Sequence, residues 1–380
     1  MKILYFAPIY FDDMKQRPQQ LAQCLAKKHQ VCYIEPTVSW IRWFFKRGKT
    51  YRHVEKRISR TLTVIRLSGR FTFHKSAEIL DLFGCNNWSE YWQIKKRIEQ
   101  CDLIWVGYPG WYTLLRHFKG KPVVYDKMDE EDLLAKSWLL KLTLRRGKKK
   151  LVQMSDLIFA SCTKFYEDLK GHKPVCLVPN ALPENFIQQP LANMQDTGTD
   201  SKKYAGKKHA DMLVLGYVGT IGRWFDFEIV KYILNFNKNY RIILAGRNAM
   251  PVFKHKRVIY LGMVPHERLP ALIRSFDVCL FNFKQDHILD TVNPVKLYEY
   301  LAMQKPVLAV RSKETEKLEK YMMIYQNTNE IARFLETGIR QPFSSEKEYI
   351  DFISNNTWLN RTEIIERELD RLRPERNRQK

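Results

Sequence analysis

TVNPVKLYEYLAMQKPVLAV, from Thr291 to Val310, holds a helix start, a charged pair and a short apolar strand in one run. A helix leading directly into a strand without polar alternation is a unit from which sheets covered on both faces are built. Asn293 is expected to cap the helix with Pro294 at its first position, where the missing N–H costs nothing and φ is already helical. Backbone N–H groups left unpaired at such a start suit a phosphate. Lys296 and Glu299 lie three apart and share a helix face, which sets a cation near the phosphate end and a carboxylate one turn further in. A carboxylate does not face phosphate. It accepts from hydroxyls, and the diol of a ribose offers two donors. A solvated salt bridge between the two side chains accounts for the same spacing.

Outward from this run the same alternation repeats. MLVLGYVGTIG (212–222), RIILAGR (241–247), VIYLGMV (258–264) and DVCLFNF (277–283) read as strands with helices between them. The first half reads likewise: KILYFAPIY (2–10), an amphipathic helix over 17–29, VCYIEP (31–36), CDLIWVGYP (101–109), PVVYDKMDE (122–130), SDLIFASC (155–162) and PVCLVPNAL (174–182). A polar stretch from Gln188 to Asp211 interrupts the pattern. The expectation is an α/β chain of two doubly wound domains, 1–185 and 186–350. A charged helix and basic tail over 351–380 are expected to follow, the helix returning to the first domain. Ligands of such sheets gather at the carboxyl ends of the strands.

The seven cysteines are scattered with no C-x-x-C pair, which points to reduced thiols in a cytoplasmic protein. No His, Cys or Asp cluster has metal-ligand spacing, so no metal is expected. Pro8, Asp12 and Asp13 cut short the apolar start, which reads as a first strand and not as a signal peptide. No apolar run reaches the roughly 18 residues that a membrane span needs. The net charge of +23 is uneven: residues 1–180 carry 33 Lys and Arg against 17 Asp and Glu, so the positive field belongs mainly to the first half. Within it, WIRWFFKRGKTYRHVEKR (40–57) interleaves Trp40, Trp43 and Phe44 with Arg42, Lys46 and Arg47, a composition suited to an anionic membrane surface. WLLKLTLRRGKKK (138–150) is a second basic stretch. A helix packed on the domain with its charges solvated fits the same residues. Nothing accompanies them that signals a nucleic-acid-binding fold.

Seven segments in order resemble GT-B glycosyltransferases of the retaining family four, in the bacterial cell-surface polysaccharide branch that includes teichuronic-acid enzymes. They are FDDMKQRPQQLA (11–22), VVYDKMDEED (123–132), SDLIFASCTKFYEDL (155–169), LVPNAL (177–182), LGYVGTIGRWFDFEIV (215–230), VIYLGMVPHERLPALIRSFDVCLFNF (258–283) and the opening run. The resemblance implies two Rossmann-like domains facing a central cleft, an acceptor held by the first, and a nucleotide-sugar, of the UDP class, held by the second. It implies a donor site of Gly219, Thr220, Gly222, Arg223, Arg247, Val264, Asn293, Lys296, Leu297 and Glu299. Lys296 and Arg223 would neutralise the leaving diphosphate, with no cofactor required. Arg17, Asp126 and Asp129 would serve the acceptor side, Asp129 as a catalytic carboxylate. Trp224 and Asp226 are characteristic of the branch. Two departures stand out. The family's first acid, eight residues before Glu299, is Thr291 here with Asp290 beside it, and Met128 stands where relatives carry a catalytic His. Two other functions fit these residues: a nucleotide-sugar epimerase, and a non-catalytic membrane or polyanion scaffold.

Overall fold

The computed structural model describes residues 1–13, 15–39, 54–71, 84–118, 120–134, 137–187 and 212–372. The chain divides into two units, one of Met1–Pro179 with Arg361–Lys380 and one of Asn180–Asn360. The division falls ahead of the expected 185/186 boundary for a local reason. The backbone N–H and side-chain amide of Asn180 donate to Asn293 at 2.9 and 2.7 Å, and Leu182 N–H donates to Asn356 at 2.8 Å, which ties this segment to the second unit. The return to the first unit is also later than expected. Helix Glu346–Asn355 stays with the second unit, where Phe352 joins the core, and helix Trp358–Arg371 makes the passage. In the first unit that last helix buries Ile365 and Leu369, and Glu366 meets His29 at 2.9 Å.

The first unit carries strands β1 (Lys2–Phe6), β2 (Gln30–Ser39), β3 (Val54–Arg57), β4 (Leu62–Gly69), β5 (Leu103–Val106), β6 (Val123–Lys127), β7 (Leu157–Ala160) and β8 (Val175–Leu177), in the order β3-β4-β2-β1-β5-β6-β7-β8. All pairs are parallel except β3 with β4. Both faces of the centre are covered, so β5 and β7 are buried at every residue. One face is filled by rings: Tyr33, Tyr5, Trp105 and Phe159 stack at centroid distances of 5.4, 5.6 and 5.2 Å. β3 and β4 were not foreseen. The end of the basic aromatic segment, Val54–Arg57, is an exposed antiparallel edge strand and not part of a helix.

The second unit carries β9 (Leu213–Val218), β10 (Tyr240–Ala245), β11 (Val258–Gly262), β12 (Val278–Phe281), β13 (Val307–Val310) and β14 (Met323–Tyr325), all parallel, in the order β11-β10-β9-β12-β13-β14. Successive strands are laid down from β9 toward β11, and the chain then crosses to the other side of β9. The strand order therefore reverses between β9 and β12, and the carboxyl ends there are the expected ligand position.

Candidate functional site

At that reversal two loops lock together. Gly219, just after β9, has φ +141°, and Gly246, just after β10, has φ +139°. A Cβ on Gly246 would lie 2.0 Å from the Gly219 carbonyl, and one on Gly219 would lie 2.7 Å from Lys296 Nζ. Only glycine fits either place. Gly219 N–H donates to Ala245 at 2.8 Å and Ile221 N–H to Arg247 at 2.9 Å, so these two amides are spent on the scaffold. Thr220 and Gly222 keep backbone N–H groups with no partner among the described residues. Arg223 and Arg247 are exposed on the same two loops, and Val264 is half-buried beyond β11.

Trp224 and Asp226 hold the far side of the turn. Asp226 caps helix Phe227–Phe236 by accepting from Glu228 N–H at 2.8 Å, and Lys284 N–H donates to the Trp224 carbonyl at 2.7 Å. Phe225 pairs with Phe283 in an antiparallel bridge. The turn is thereby stitched to the end of β12.

Helix Val295–Ala302 begins beside these loops with Pro294 as its cap residue and no side-chain cap. Asn293 does not cap it. Its side-chain amide is buried, accepting from Asn180 N–H and donating to Glu314 at 2.5 Å, which turns it away from the helix start. Leu297 is likewise withdrawn: its side chain is wholly buried in the core and its N–H donates to Pro294. The N–H groups of Val295 and Lys296 have no partner among the described residues.

Lys296 turns its ammonium toward aromatic rings. Nζ donates to Tyr217 Oη at 2.8 Å and lies 4.4, 4.8 and 5.8 Å from the centroids of Tyr217, Phe283 and Phe281. Burial pushes its pKa down to about 7, against the pull of Glu299. Glu299 is 7 % exposed, and its carboxylate has no hydrogen-bond partner among the described residues; His266 Nε2 stands 3.9 Å away. Burial pushes Glu299 up to about 7, with Lys296 lowering it. The solvated salt bridge that the spacing allowed is therefore not what the helix carries.

In the first unit, Arg17 and Asp126 form a buried bidentate pair. Nε donates to both carboxylate oxygens at 3.0 and 3.1 Å and Nη2 to Oδ1 at 2.7 Å, while Nη1 donates to the Val178 carbonyl at 2.7 Å. Both side chains are nearly or fully inaccessible, so in this structure each is the other's partner. Asp129 keeps accessible surface yet is crowded by protein atoms. That desolvation, with Glu131 adding to it, pushes its carboxyl up to about 7 while Lys127 and Arg17 pull it down. The acids beside it are neutralised from within: Lys127 meets Glu131 at 3.2 Å, and Lys148 meets Glu130 at 2.5 Å and Asp132 at 3.1 Å. Part of the second basic stretch is thus spent on the protein itself. A cavity of about 380 Å³ opens at the amino ends of this sheet, the edge opposite to the one that doubly wound sheets use.

No family model matches the chain. It is 23% identical over 338 residues to a Bacillus subtilis (strain 168) protein named "Putative teichuronic acid biosynthesis glycosyltransferase TuaH", covering 81% of this chain and 80% of that one. Sucrose-phosphate synthase of Thermosynechococcus elongatus superposes with a TM-score of 0.72 at 14% identity, over 98% of both chains. Anabaena HepE, solved with UDP and glucose, superposes with a TM-score of 0.62 at 14% identity, over 97% of this chain and 99% of its own. Chains with so few shared residues share an architecture.

The fold is GT-B.

Within this GT-B chain the structure brings the expected Gly219 and Gly222 loop and Lys296 and Glu299 together, and sets beside them Tyr217, Phe283 and His266, which no expectation from the sequence named. Tyr217 and Phe283 read as ordinary strand apolar residues, and no spacing rule shows that both reach the lysine. Among the described residues no group of His, Cys, Asp and Glu side chains is placed to hold a metal, and no helix is long and apolar enough to cross a membrane.

Proposed function

We propose that the chain is a glycosyltransferase that moves a sugar from a nucleoside diphosphate sugar of the UDP class to a lipid-linked or polysaccharide acceptor of cell-surface glycan synthesis, with retention of configuration. The name of the Bacillus subtilis relative supports the acceptor class. The structure of Anabaena HepE with UDP and glucose supports the donor class. One observation carries the reading. A buried carboxylate, Glu299, with no hydrogen-bond partner among the described residues sits one turn beyond a helix start whose N–H groups find none there either, with Lys296 between. A buried carboxylate without donors is costly, and a ribose diol supplies two.

In this reading Glu299 accepts from the ribose and the diphosphate lies over the amides of Thr220, Gly222, Val295 and Lys296. The Lys296 ammonium and Arg223 stabilise the charge that grows on the leaving diphosphate, so the reaction calls for no metal. Asp129 serves the acceptor hydroxyl or the developing positive charge on the sugar. The test is a thermal-shift screen against nucleotide-sugars: a ligand at 100 times its dissociation constant stabilises by about 2.7 kcal/mol. A shift with one donor class, followed by acceptor-dependent release of its nucleotide, is expected. Conversion of the donor without acceptor would instead mark an epimerase, and no shift with any donor would leave a scaffold.

We also propose that the first unit docks on an anionic membrane surface, which would place the protein peripherally at the inner face. The candidate residues Trp40, Arg42, Trp43, Phe44, Lys46 and Arg47 lie outside the described residues. Support comes from elsewhere in the unit. Trp88 and Trp92 on helix Asn87–Gln100, and Trp138 and Leu142 on helix Trp138–Met154, are 54 to 78 % exposed. Lys96, Lys141, Arg146, Lys149 and Lys150 are exposed on the same two helices. Right-handed crossovers running the same way along the sheet put both helices on one face. Both also pack on the Pro109–Leu115 segment, through Asn87 and Gly147.

A further inference from the structure

Tyr217 stands on β9 with its side chain wholly buried, and its hydroxyl is the one hydrogen-bond partner that the Lys296 ammonium has among the described residues. The direction of each bond is fixed by chemistry. An ammonium can only donate and a carbonyl can only accept, so Tyr217 Oη accepts from Lys296 Nζ at 2.8 Å and gives its own proton to the Thr220 carbonyl at 3.0 Å. The peptide that follows Thr220 is thereby held at both ends, its carbonyl by Tyr217 and its N–H, that of Ile221, by the Arg247 carbonyl at 2.9 Å. The amides of Thr220 and Gly222 lie on either side of it in the chain. Rings complete the seat: Nζ lies 4.4 Å from the centroid of Tyr217 and 4.8 Å from that of Phe283, within the range where a ring face attracts a cation. Tyr217 packs edge-on against Phe225 at 4.8 Å, a hold that does not depend on the hydroxyl.

We propose that Tyr217, backed by Phe283, is a positioning residue of the diphosphate site: its hydroxyl ties the Lys296 ammonium to the Thr220–Gly222 turn, so that cation and amides meet a diphosphate in one fixed arrangement. The proposal rests on the donor-site reading above. A lysine ammonium rides on a flexible stem, and left free to sample its rotamers it would spend little time where phosphate needs it. With one N–H given to Tyr217, two remain, and the rings offer neither of them an oxygen or nitrogen. Those two are left for phosphate oxygens. Preorganising the lysine removes an ordering cost that binding would otherwise carry. Neither Tyr217 nor Phe283 needs to touch the ligand to act in this way.

The experiment is a calorimetric titration with UDP of wild type, Tyr217→Phe, Lys296→Met and the double variant, each first checked for a ligand-free melting transition. In the Lys296 background, Tyr217→Phe should weaken UDP by roughly 3- to 10-fold, the range of one hydrogen bond. In the Lys296→Met background the same change should weaken it by about twofold or less, because the group it positions is gone. Phe283→Leu, which takes away a ring and leaves the hydroxyl, should show the same dependence on Lys296, and it carries the test should Tyr217→Phe not fold. Equal losses in both backgrounds, or no loss in either, would reduce these side chains to packing and leave the donor site standing. Absence of UDP binding by the wild type would overturn both.

Discussion

Glu299 and Lys296 set opposite limits on ligand binding. A nucleotide-sugar's diphosphate stays ionised between pH 5 and 9, so changes in affinity over that range report the protein. Glu299, held up to about 7, must lose its proton to accept from a diol, so affinity should rise with pH toward 7. Lys296, held down to about 7, must be protonated to meet phosphate, so affinity should fall as pH climbs above 7. The expected profile is a bell centred near neutrality, read by calorimetry across pH. Glu299→Gln should flatten the acid limb and weaken binding by about 10- to 100-fold at neutral pH, since each of two hydrogen bonds to a neutral amide oxygen is worth about 1 kcal/mol less than one to a carboxylate. An unchanged acid limb in that variant would remove Glu299 from the site.

At the scale of elements, the start of helix Arg17–Leu25 is joined to the end of β6 by a buried ion pair and to the segment after β8 by a hydrogen bond. Arg17, Asp126 and the Val178 carbonyl have no solvent to fall back on. Asp126→Asn leaves a buried guanidinium facing a neutral amide, and breaking such a pair costs about 3–5 kcal/mol. The melting transition of the first unit should fall by roughly 8 °C or more, and UDP binding by the second unit should persist. Loss of nucleotide binding with no loss of stability would return Asp126 to a functional role. The same elements show what the sequence made legible. Apolar strands buried on both faces, such as β5, β7 and β13, announced themselves by composition. β3 did not, because an exposed edge strand of Val, Glu, Lys and Arg has no apolar period to read. The helix at Pro294 was legible, but the fate of Asn293 was not. Its partners Asn180 and Glu314 are distant in sequence and only the fold brings them to it.

For the whole molecule, charge and chemistry separate between the units: excess positive charge lies in the first half, and the paired lysine and carboxylate lie in the second unit. If the first unit meets a membrane, vesicles with anionic lipid should sediment the protein and neutral ones should not. Salt should weaken the interaction, since the Debye length is about 8 Å at physiological ionic strength. Replacing Trp88, Trp92 and Trp138 by Ser should reduce it further; unaltered sedimentation of that variant would take these rings out of the contact. The central claim is that the helix start at Lys296 neutralises a departing diphosphate. The most direct measurement is steady-state release of nucleoside diphosphate by wild type and Lys296→Ala, using the donor that the thermal screen identifies. A fall in kcat well beyond any rise in KM is predicted, because an interaction gained mainly in the transition state is lost mainly from kcat. A rise in KM at unchanged kcat would contradict it and reduce Lys296 to a residue that holds phosphate equally throughout the reaction.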